Sequence, residues 1–254
     1  VECLSAGRGI SLPALSTATG HLASKMTSAY SVVRQQFGVS IGQFEGVQEA
    51  LARIGGLTYT LESARLMTAG AIDLKLSPSV VTAIAKYHMT EMGRTVMNDA
   101  MDIHSGKGIQ VGPNNYLAHG YMGIPVSITV EGANILTRNL MIFGQGATRC
   151  HPFVLKEMEA AAMEDDDAAL DQFDSLLMKH ILFAASNAGM AFVHGLTRSC
   201  LAKAPVCGAT AVYYKQLSRM SRGLAFTTDV AMLVLGGELK RKEMISARLG
   251  DVLS

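Results

Sequence analysis

The chain has 254 residues, of which 49% are hydrophobic and 17% are charged. This composition excludes a disordered chain and allows one large folded domain or two smaller ones. The formal net charge is only +1 at pH 7. Because no positive field is available to hold a polyanion, we expect no nucleic-acid partner.

The cysteines and the apolar segments of the chain indicate which kinds of site and targeting sequence to expect. The four cysteines lie far apart without a C-x-x-C pair, and no Cys or His spacing predicts a tetrahedral metal site, so free thiols and no metal are expected. The first ten residues lack the basic and apolar regions of a secretory signal, and we expect them to lie inside a longer protein. No run reaches the ~18 uncharged apolar residues of a membrane span, the nearest being residues 230–237.

The first predicted helix covers residues 14–37 and ends at Gly38. Apolar residues recur every three or four positions along it, which is the spacing of one helical face. We expect that face to be buried, and it consists of Leu15, Ala18, Leu22, Met26, Ala29, Val33 and Phe37.

Two more long helices follow, which favours an all-α antiparallel bundle. The second is predicted over about 44–72, where the pair Gly55 and Gly56 either weakens the helix or admits a close neighbour. Ser77 and Pro78 are suitable residues to begin the third helix, which is predicted to run to about Met101. The side chains expected to point inward from this third helix are Val81, Ile84, His88 and Met92.

The composition changes between residues 102 and 132, where six glycines and two prolines occur, and a long ordered loop is predicted. Helical spacing returns afterwards, and we place a domain boundary near Arg149. The second part is predicted to be helical as well, with an acidic break at 164–167. Its helices are expected at about 151–163, 168–196, 209–236 and in a mixed-charge segment that starts near Gly237.

Glu131 is the only ionisable residue between Gly123 and Asn134. It is either a surface acid at a helix entrance or a group held for chemistry, and Arg34 likewise allows an exposed helix-end cation or a functional role. The glycine-rich segment around Gly106 does not have the spacing of a P-loop or of a dinucleotide-binding G-x-G-x-x-G motif. These residues therefore become informative only through their joint arrangement.

Four segments together resemble the C-terminal domain of the acyl-CoA dehydrogenase family. They are "RQQFG" at 34–38, "IGQFEGVQEALARI" at 41–54, "DIHSGKGI" at 102–109 and "VEGANILTRN" at 130–139. The sequences at 127–159 and 235–254 are similar to those of the bacterial fatty acyl-CoA dehydrogenases of the FadE type, which carry an extra C-terminal helical region. The resemblance implies a helical bundle over 1–150, a helical extension over 151–254, and a C-terminal fragment of the whole enzyme.

The resemblance implies a flavoenzyme that oxidises a fatty acyl-CoA to the trans-2-enoyl-CoA in the first step of fatty-acid β-oxidation. Glu131 matches the family base that removes the α-proton, and its backbone N–H would help to polarise the thioester carbonyl. Its apolar sequence context predicts a desolvated pocket that raises the pKa of the carboxyl group. Gly132 would let substrate or flavin approach the backbone closely. Both residues are therefore predicted to contact substrate.

The cofactor implied by the resemblance is FAD. Arg34 and Phe37 match the family's R-x-x-F-G motif, whose arginine reaches the FAD pyrophosphate of a neighbouring subunit. Gly106 matches a glycine of the loop that passes the neighbour's FAD. Other flavin contacts of the family cannot be carried over, because the chain departs from its pattern at Asp102, Ala133 and Ile135.

The implied partners are a fatty acyl-CoA substrate, further copies of the chain in a homo-oligomer, and electron-transfer flavoprotein or a similar electron acceptor. The expected location is the bacterial cytoplasm or the periphery of the inner membrane. Two alternatives stay open on the residues alone. A non-catalytic helical assembly module would not retain flavin, and an acyl-CoA oxidase would form peroxide in the presence of oxygen.

Overall fold

The computed structural model describes residues 7–76 and 78–254, and it is 79% helical. The predicted all-α fold, a helical bundle followed by a further helical region, is confirmed. The chain forms two compact units, Val1–Thr137 and Arg138–Ser254. The boundary predicted near Arg149 stays a prediction.

Three long helices build the first unit. They are α1 (Ser11–Val33), α2 (Glu45–Asp73) and α3 (Ser79–His104). Thr17 of α1 donates to the carbonyl oxygen of Leu61 in α2, and Leu61 also packs on Ala85 and Met89 of α3. Nearer the other end of α2, Arg53 pairs with Asp99 of α3, so that consecutive helices run antiparallel as the short connections predict. The predicted N-cap residue Ser77 lies outside the described residues.

The first helix ends earlier than predicted. It stops at Val33, and a two-stranded antiparallel hairpin follows, with β1 at Gln35–Gln36 and β2 at Val39–Ser40. Phe37 and Gly38 form the two-residue turn between the strands with φ angles of 53° and 79°. Two consecutive positive φ values are the requirement of a type I′ turn, so Gly38 turns a hairpin and does not end a helix. A short 3-10 turn at Ile41–Gln43 then leads into α2.

The predicted buried face of α1 is wrong. Leu15 and Leu22 are 46% and 42% exposed, whereas small residues of the opposite side lie in the interior. Helix backbones that approach closely leave room only for small side chains, and periodicity alone does not reveal this preference. The buried residues of α1 are Leu12, Pro13, Ser16, Thr17, Gly20, Ala23, Thr27 and Ser31.

The buried face of α3 also differs from the prediction. Val81 is 41% exposed, whereas the fully buried positions include Lys86 at 0%. The buried face of α3 is therefore shifted by about one residue from the predicted one, and it includes polar side chains. The main core of the unit consists of Ala23, Ile41, Ile54, Val96, Met97, Ala100, Ile103 and Leu117.

Gly20 marks the closest approach of α1 to α2, and we expect Gly20→Ala to destabilise the first unit. An added Cβ would lie 3.0 Å from Thr58 Oγ1 and 3.2 Å from Leu61 Cδ1. Overpacking of this kind costs about 1–3 kcal/mol. Gly55→Ala in α2 is the matched control, because nothing lies within 4 Å of its added Cβ and the gain in helix propensity is about 0.5–1 kcal/mol. Urea unfolding followed by circular dichroism measures both, and shifts of the same sign would contradict the close contact.

The glycine-rich segment is mostly helical, so the prediction of a long loop over 102–132 is wrong. It contains α4 (Gly106–Ile109) and α5 (Ala118–Thr129), and α5 tolerates Pro125 in its interior. Gly120 allows α5 to lie close to α3, since an added Cβ would be 2.9 Å from Met97 Cε. Glycine content here reflects close packing as well as turns.

The second unit contains two long helices and several short ones. After α6 (Asn134–Leu136), a π-helical segment at Thr137–Gln145 leads into α7 (Gly146–Cys150), and α8 is Val154–Ala160. The long helices are α9 (Asp166–Leu196) and α10 (Ala211–Leu235), followed by a 3-10 turn at Gly236–Lys240 and α11 (Glu243–Leu253). Asp165 in the predicted acidic break caps α9, because its carboxylate accepts from the amides of Asp167 and Ala168 at 3.2 Å.

Helix α9 is long and apolar enough to cross a membrane by length and composition, with a window of mean hydropathy 1.4. The sequence prediction of no membrane span required an uninterrupted apolar run, and Lys179 and His180 interrupt this one. Helix α9 packs on α10 and α8 within the unit, and its apolar window is only 6% buried.

Candidate active site

Glu131 lies in a tight bend between α5 and α6. Its φ angle is 53° and that of Gly132 is 96°. A left-handed backbone is unfavourable for a residue with a Cβ, and residues held in this way are enriched at functional sites. The Glu131 carboxylate is 3.4 Å from Ser11 Oγ, which donates to it from the start of α1.

The carboxylate of Glu131 is exposed in this chain. The predicted desolvated pocket is therefore not formed by the residues around it. The apolar neighbours in sequence are themselves largely exposed, including Val126 at 54% and Ile135 at 77%. An apolar sequence context does not bury a carboxylate by itself, since burial requires other elements to cover it.

Two buried cations, Arg8 and Lys86, interact electrostatically with Glu131, and neither is among the site residues predicted from the sequence. Arg8 is 8% exposed and donates to the carbonyl oxygen of Ser79 at 3.2 Å, while Lys86 is fully buried. Burial lowers the pKa of Arg8 and of Lys86, whereas the charge of Glu131 raises it in each case. The sequence does show a lysine among small residues of α3. Because Lys86 lies outside the face that was predicted to be buried, it was not expected in the interior.

The bend itself is held by Lys86. Its Nζ donates to the carbonyl oxygen of Gly132 at 2.7 Å and to Asn134 Oδ1 at 2.7 Å. Asn134 Nδ2 in turn donates to Thr90 Oγ1 at 2.9 Å and to Glu91 Oε1 at 2.7 Å. The residue that follows the predicted base is thus tied to α3 through a buried ammonium group.

A separate cavity of about 600 Å³ brings together two of the predicted cofactor residues. Arg34 and Gly106 both line it, and Lys107 adds a second cationic side chain. Nothing lies within 4 Å of a Cβ built on Gly106, so a ligand could approach the backbone there. Two cations beside exposed backbone suit a dianionic group such as a pyrophosphate.

The wall of this cavity is a neutral aromatic stack. His104 stacks on Tyr30 with ring centroids 4.2 Å apart and makes hydrogen bonds to the carbonyl oxygen of Ala100 and to the Tyr116 hydroxyl. Burial lowers the pKa of His104, although the bond to Ala100 opposes this. The cationic character of the cavity therefore comes from Arg34 and Lys107.

Phe37 does not line this cavity. Its ring is 93% exposed and meets Phe44 edge-on at 6.3 Å. Six non-glycine residues in the described part of the chain have positive φ, and three of them are Phe37, Ser105 next to Gly106, and Glu131. Unfavourable backbone geometry thus coincides with each of the three motifs that the sequence singled out.

A cluster of histidines and carboxylates lies in the second unit, although no Cys or His spacing in the sequence predicts a metal site. His180 in α9 lies between two carboxylates, with Nδ1 2.8 Å from Glu157 Oε1 and Nε2 3.1 Å from Asp229 Oδ1. His151 Nε2 is 2.9 Å from the same Asp229 oxygen. The three side chains of His151, His180 and Asp229 are close enough to bind one metal ion.

The hydrogen bonds favour a proton-based network over a metal. His151 Nδ1 accepts from the amides of Phe153 and Val154 at 3.3 Å, so the proton of the neutral ring resides on Nε2. A metal at Nε2 would require the opposite tautomer. His180 has a carboxylate at each nitrogen and is therefore best satisfied as a doubly protonated ring.

We expect this network to give the second unit a stability optimum near pH 6.5. Burial lowers the pKa of His180, but hydrogen bonds to Asp229 and Glu157 outweigh it and raise the pKa overall, so its stabilisation is lost as pH rises through the folded pKa. Burial lowers the pKa of His151, although Asp229 opposes this, so stability falls as pH drops below 6.5 through its folded pKa.

Thermal unfolding midpoints between pH 5 and pH 9 test this expectation. His180→Gln should remove the alkaline decline, and His151→Gln should remove the acidic one. His21→Gln is the control, because its ring is exposed in the first unit. A profile that neither variant changes would contradict the assignment.

Two protein-family models match the chain, one over its first part and one over its second. Residues 5–143 match the family described as acyl-CoA dehydrogenase, C-terminal domain, and residues 148–254 match the family described as acyl-CoA dehydrogenase, C-terminal, bacterial type. FAD is the cofactor of acyl-CoA dehydrogenases.

Two curated relatives named probable acyl-CoA dehydrogenase FadE10 come from Mycobacterium tuberculosis and Mycobacterium bovis. Each is 25% identical over 260 residues, which cover 98% of this chain and 38% of the relative. The chain thus spans less than two fifths of the length of these proteins.

Two solved structures share the fold. The acyl-CoA dehydrogenase from Bacillus anthracis, complexed with FAD, has a TM-score of 0.69 at 16% identity over 99% of this chain and 40% of its own. The acyl-CoA dehydrogenase from Geobacillus kaustophilus has a TM-score of 0.51 at 24% identity over 56% of this chain and 36% of its own.

Proposed function

Since the chain belongs to the acyl-CoA dehydrogenase family, we propose that it carries the catalytic base and part of the FAD site of an enzyme that oxidises a fatty acyl-CoA to the trans-2-enoyl-CoA. This reaction is the first step of fatty-acid β-oxidation. The observation that carries the proposal is Glu131, an exposed carboxylate in a left-handed bend that the buried Lys86 holds. The bundle of residues 1–150 would supply these groups, and 151–254 would form the additional helical region.

Glu131 has the chemistry that α-proton removal needs. Breaking the Cα–H bond of a thioester requires a carboxylate that reaches the carbon, and Glu131 is accessible to a ligand. The electron pair left on the α-carbon forms the new double bond as hydride leaves the β-carbon. FAD, when bound, supplies the hydride acceptor. The backbone around Glu131 and Gly132 would contact the thioester, because the glycine presents no side chain.

Glu131 lacks the desolvation that would strengthen it as a base. Parts of the enzyme that cover this face, or the acyl chain itself, would have to exclude water when substrate binds. Arg8 and Lys86 are both buried, and each interacts electrostatically with Glu131.

Arg34, Lys107 and the open backbone at Gly106 would hold the FAD pyrophosphate of a neighbouring subunit in a homo-oligomer. Phe37 would pack on the same cofactor from outside the cavity, since its ring is almost fully exposed. Electrons would leave through electron-transfer flavoprotein or a similar acceptor.

Anaerobic mixing of the FAD-loaded full-length enzyme with acyl-CoA thioesters of graded chain length tests the proposal. Bleaching of the oxidised flavin, with enoyl-CoA formed in equal amount, is the expected result. A protein that purifies without flavin and cannot be loaded would contradict it, as an assembly module has no use for the cofactor. Rapid peroxide formation in air would identify an oxidase instead.

A further inference from the structure

Lys86 is the one fully buried lysine among the described residues, at 0% exposure. A buried ammonium group is costly unless its hydrogens find acceptors, and apolar side chains of similar volume usually serve a helix interior as well. Among the described residues, Lys86 Nζ donates to two uncharged oxygens, the Gly132 carbonyl and Asn134 Oδ1. The group is therefore not explained by an ion pair that stabilises the bundle.

What Lys86 holds is the bend that contains Glu131. The two consecutive left-handed residues, Glu131 and Gly132, need an outside constraint, because such backbone persists only where its surroundings determine it. The bond to the Gly132 carbonyl fixes the peptide directly after Glu131, and Thr137 Oγ1 donates to the same oxygen at 3.2 Å. Asn134 ties the far side of the bend to Thr90 and Glu91 of α3.

We propose that Lys86 is a positioning residue, which fixes the backbone of Glu131 from the interior of α3 so that the carboxylate meets the α-carbon of the substrate. The inference rests on the proposed function, and it adds a residue more than forty positions away in sequence to the machinery of proton removal. Lys86 does not touch substrate or flavin. It acts only through the bend of residues 130–134.

The test uses Lys86→Met in the FAD-loaded full-length enzyme, since methionine nearly keeps the volume and removes both hydrogen bonds. Hydrogen–deuterium exchange should increase in peptides that cover residues 130–134. Anaerobic flavin bleaching should slow by about 10- to 100-fold, because a misplaced reacting group costs this much. Acyl-CoA affinity should change by less than about threefold, since the residue makes no substrate contact.

Met89→Ala is the matched control on the same helix. It removes a fully buried side chain that packs on Leu61 and Ala85, and it leaves the bend untouched. It should lower the unfolding temperature by several degrees while the exchange of residues 130–134 and the bleaching rate stay unchanged. Thr90→Val provides a milder variant if Lys86→Met does not fold, because it removes one hydrogen bond to Asn134. It should produce the same two effects at smaller size.

Two outcomes overturn the inference. Unchanged exchange at residues 130–134 in Lys86→Met would mean that the lysine does not hold the bend. Equal slowing in Lys86→Met and Met89→Ala would mean a structural role alone. Neither result depends on Glu131 being the base. If Glu131→Gln kept its rate while Lys86→Met still loosened the bend, the proposed function would fail and the buried anchor would remain.

Discussion

Replacing Glu131 by glutamine should slow anaerobic flavin reduction by acyl-CoA by at least about 10²–10⁴-fold, the usual loss when a general base is removed. This corresponds to about 3–5 kcal/mol of barrier. Glutamine keeps the shape of the side chain but cannot accept the α-proton. The variant should still bind acyl-CoA, because glutamine keeps the shape and hydrogen-bonding capacity of the side chain, and it should still bind FAD, because Glu131 does not line the cavity that contains Arg34.

Glu45→Gln is the matched control, as Glu45 is an exposed glutamate in the first turn of α2. Stopped-flow absorbance of the oxidised flavin measures both variants under substrate saturation. If Glu131→Gln reduced its flavin within a few-fold of the wild-type rate while its unfolding temperature dropped, Glu131 would be a helix-entrance residue. The catalytic interpretation of the bend would then be lost.

Replacing Arg34 by alanine should weaken FAD binding by about ten- to a hundredfold. The change removes a charge-assisted hydrogen-bonding group worth about 1.5–3 kcal/mol, and each 1.4 kcal/mol is tenfold in affinity. Arg34→Lys should recover only part of the affinity, because an ammonium group cannot form the bidentate pair with a phosphate. Titration of the apo enzyme with FAD, followed by flavin fluorescence, gives the two affinities.

Arg241→Ala controls for the loss of a positive charge, since Arg241 is an exposed arginine of the second unit. Its FAD affinity should equal that of the wild type at matched ionic strength. Unchanged affinity in Arg34→Ala would contradict the role of this arginine. A loss that disappears at high salt to the same degree in all variants would indicate a general charge effect, which screening by ions removes.

The sequence by itself determined the helical class and the identity of the family. Helical spacing persists through most of the chain, and interval patterns depend only on local order, so α1, α2, α3, α9 and α10 all follow from it within a few residues. The motifs around Arg34, Gly106 and Glu131 carried the family resemblance through their order and spacing along the chain. Each of these motifs contains or adjoins a non-glycine residue with positive φ, namely Phe37, Ser105 and Glu131.

Only the tertiary structure decided which faces are buried and what surrounds each site residue. The apolar stripe of α1 remained a poor guide because close helix contact selects small residues such as Gly20, whatever the hydrophobic periodicity. Glycine content between 102 and 132 predicted a loop, yet Gly120 serves helix packing there. Lys86 joins Gly132 and His180 joins Asp229 across more than forty residues. Hydrogen bonds between residues so far apart in sequence form only when the helices pack together. Local spacing and composition therefore do not predict them.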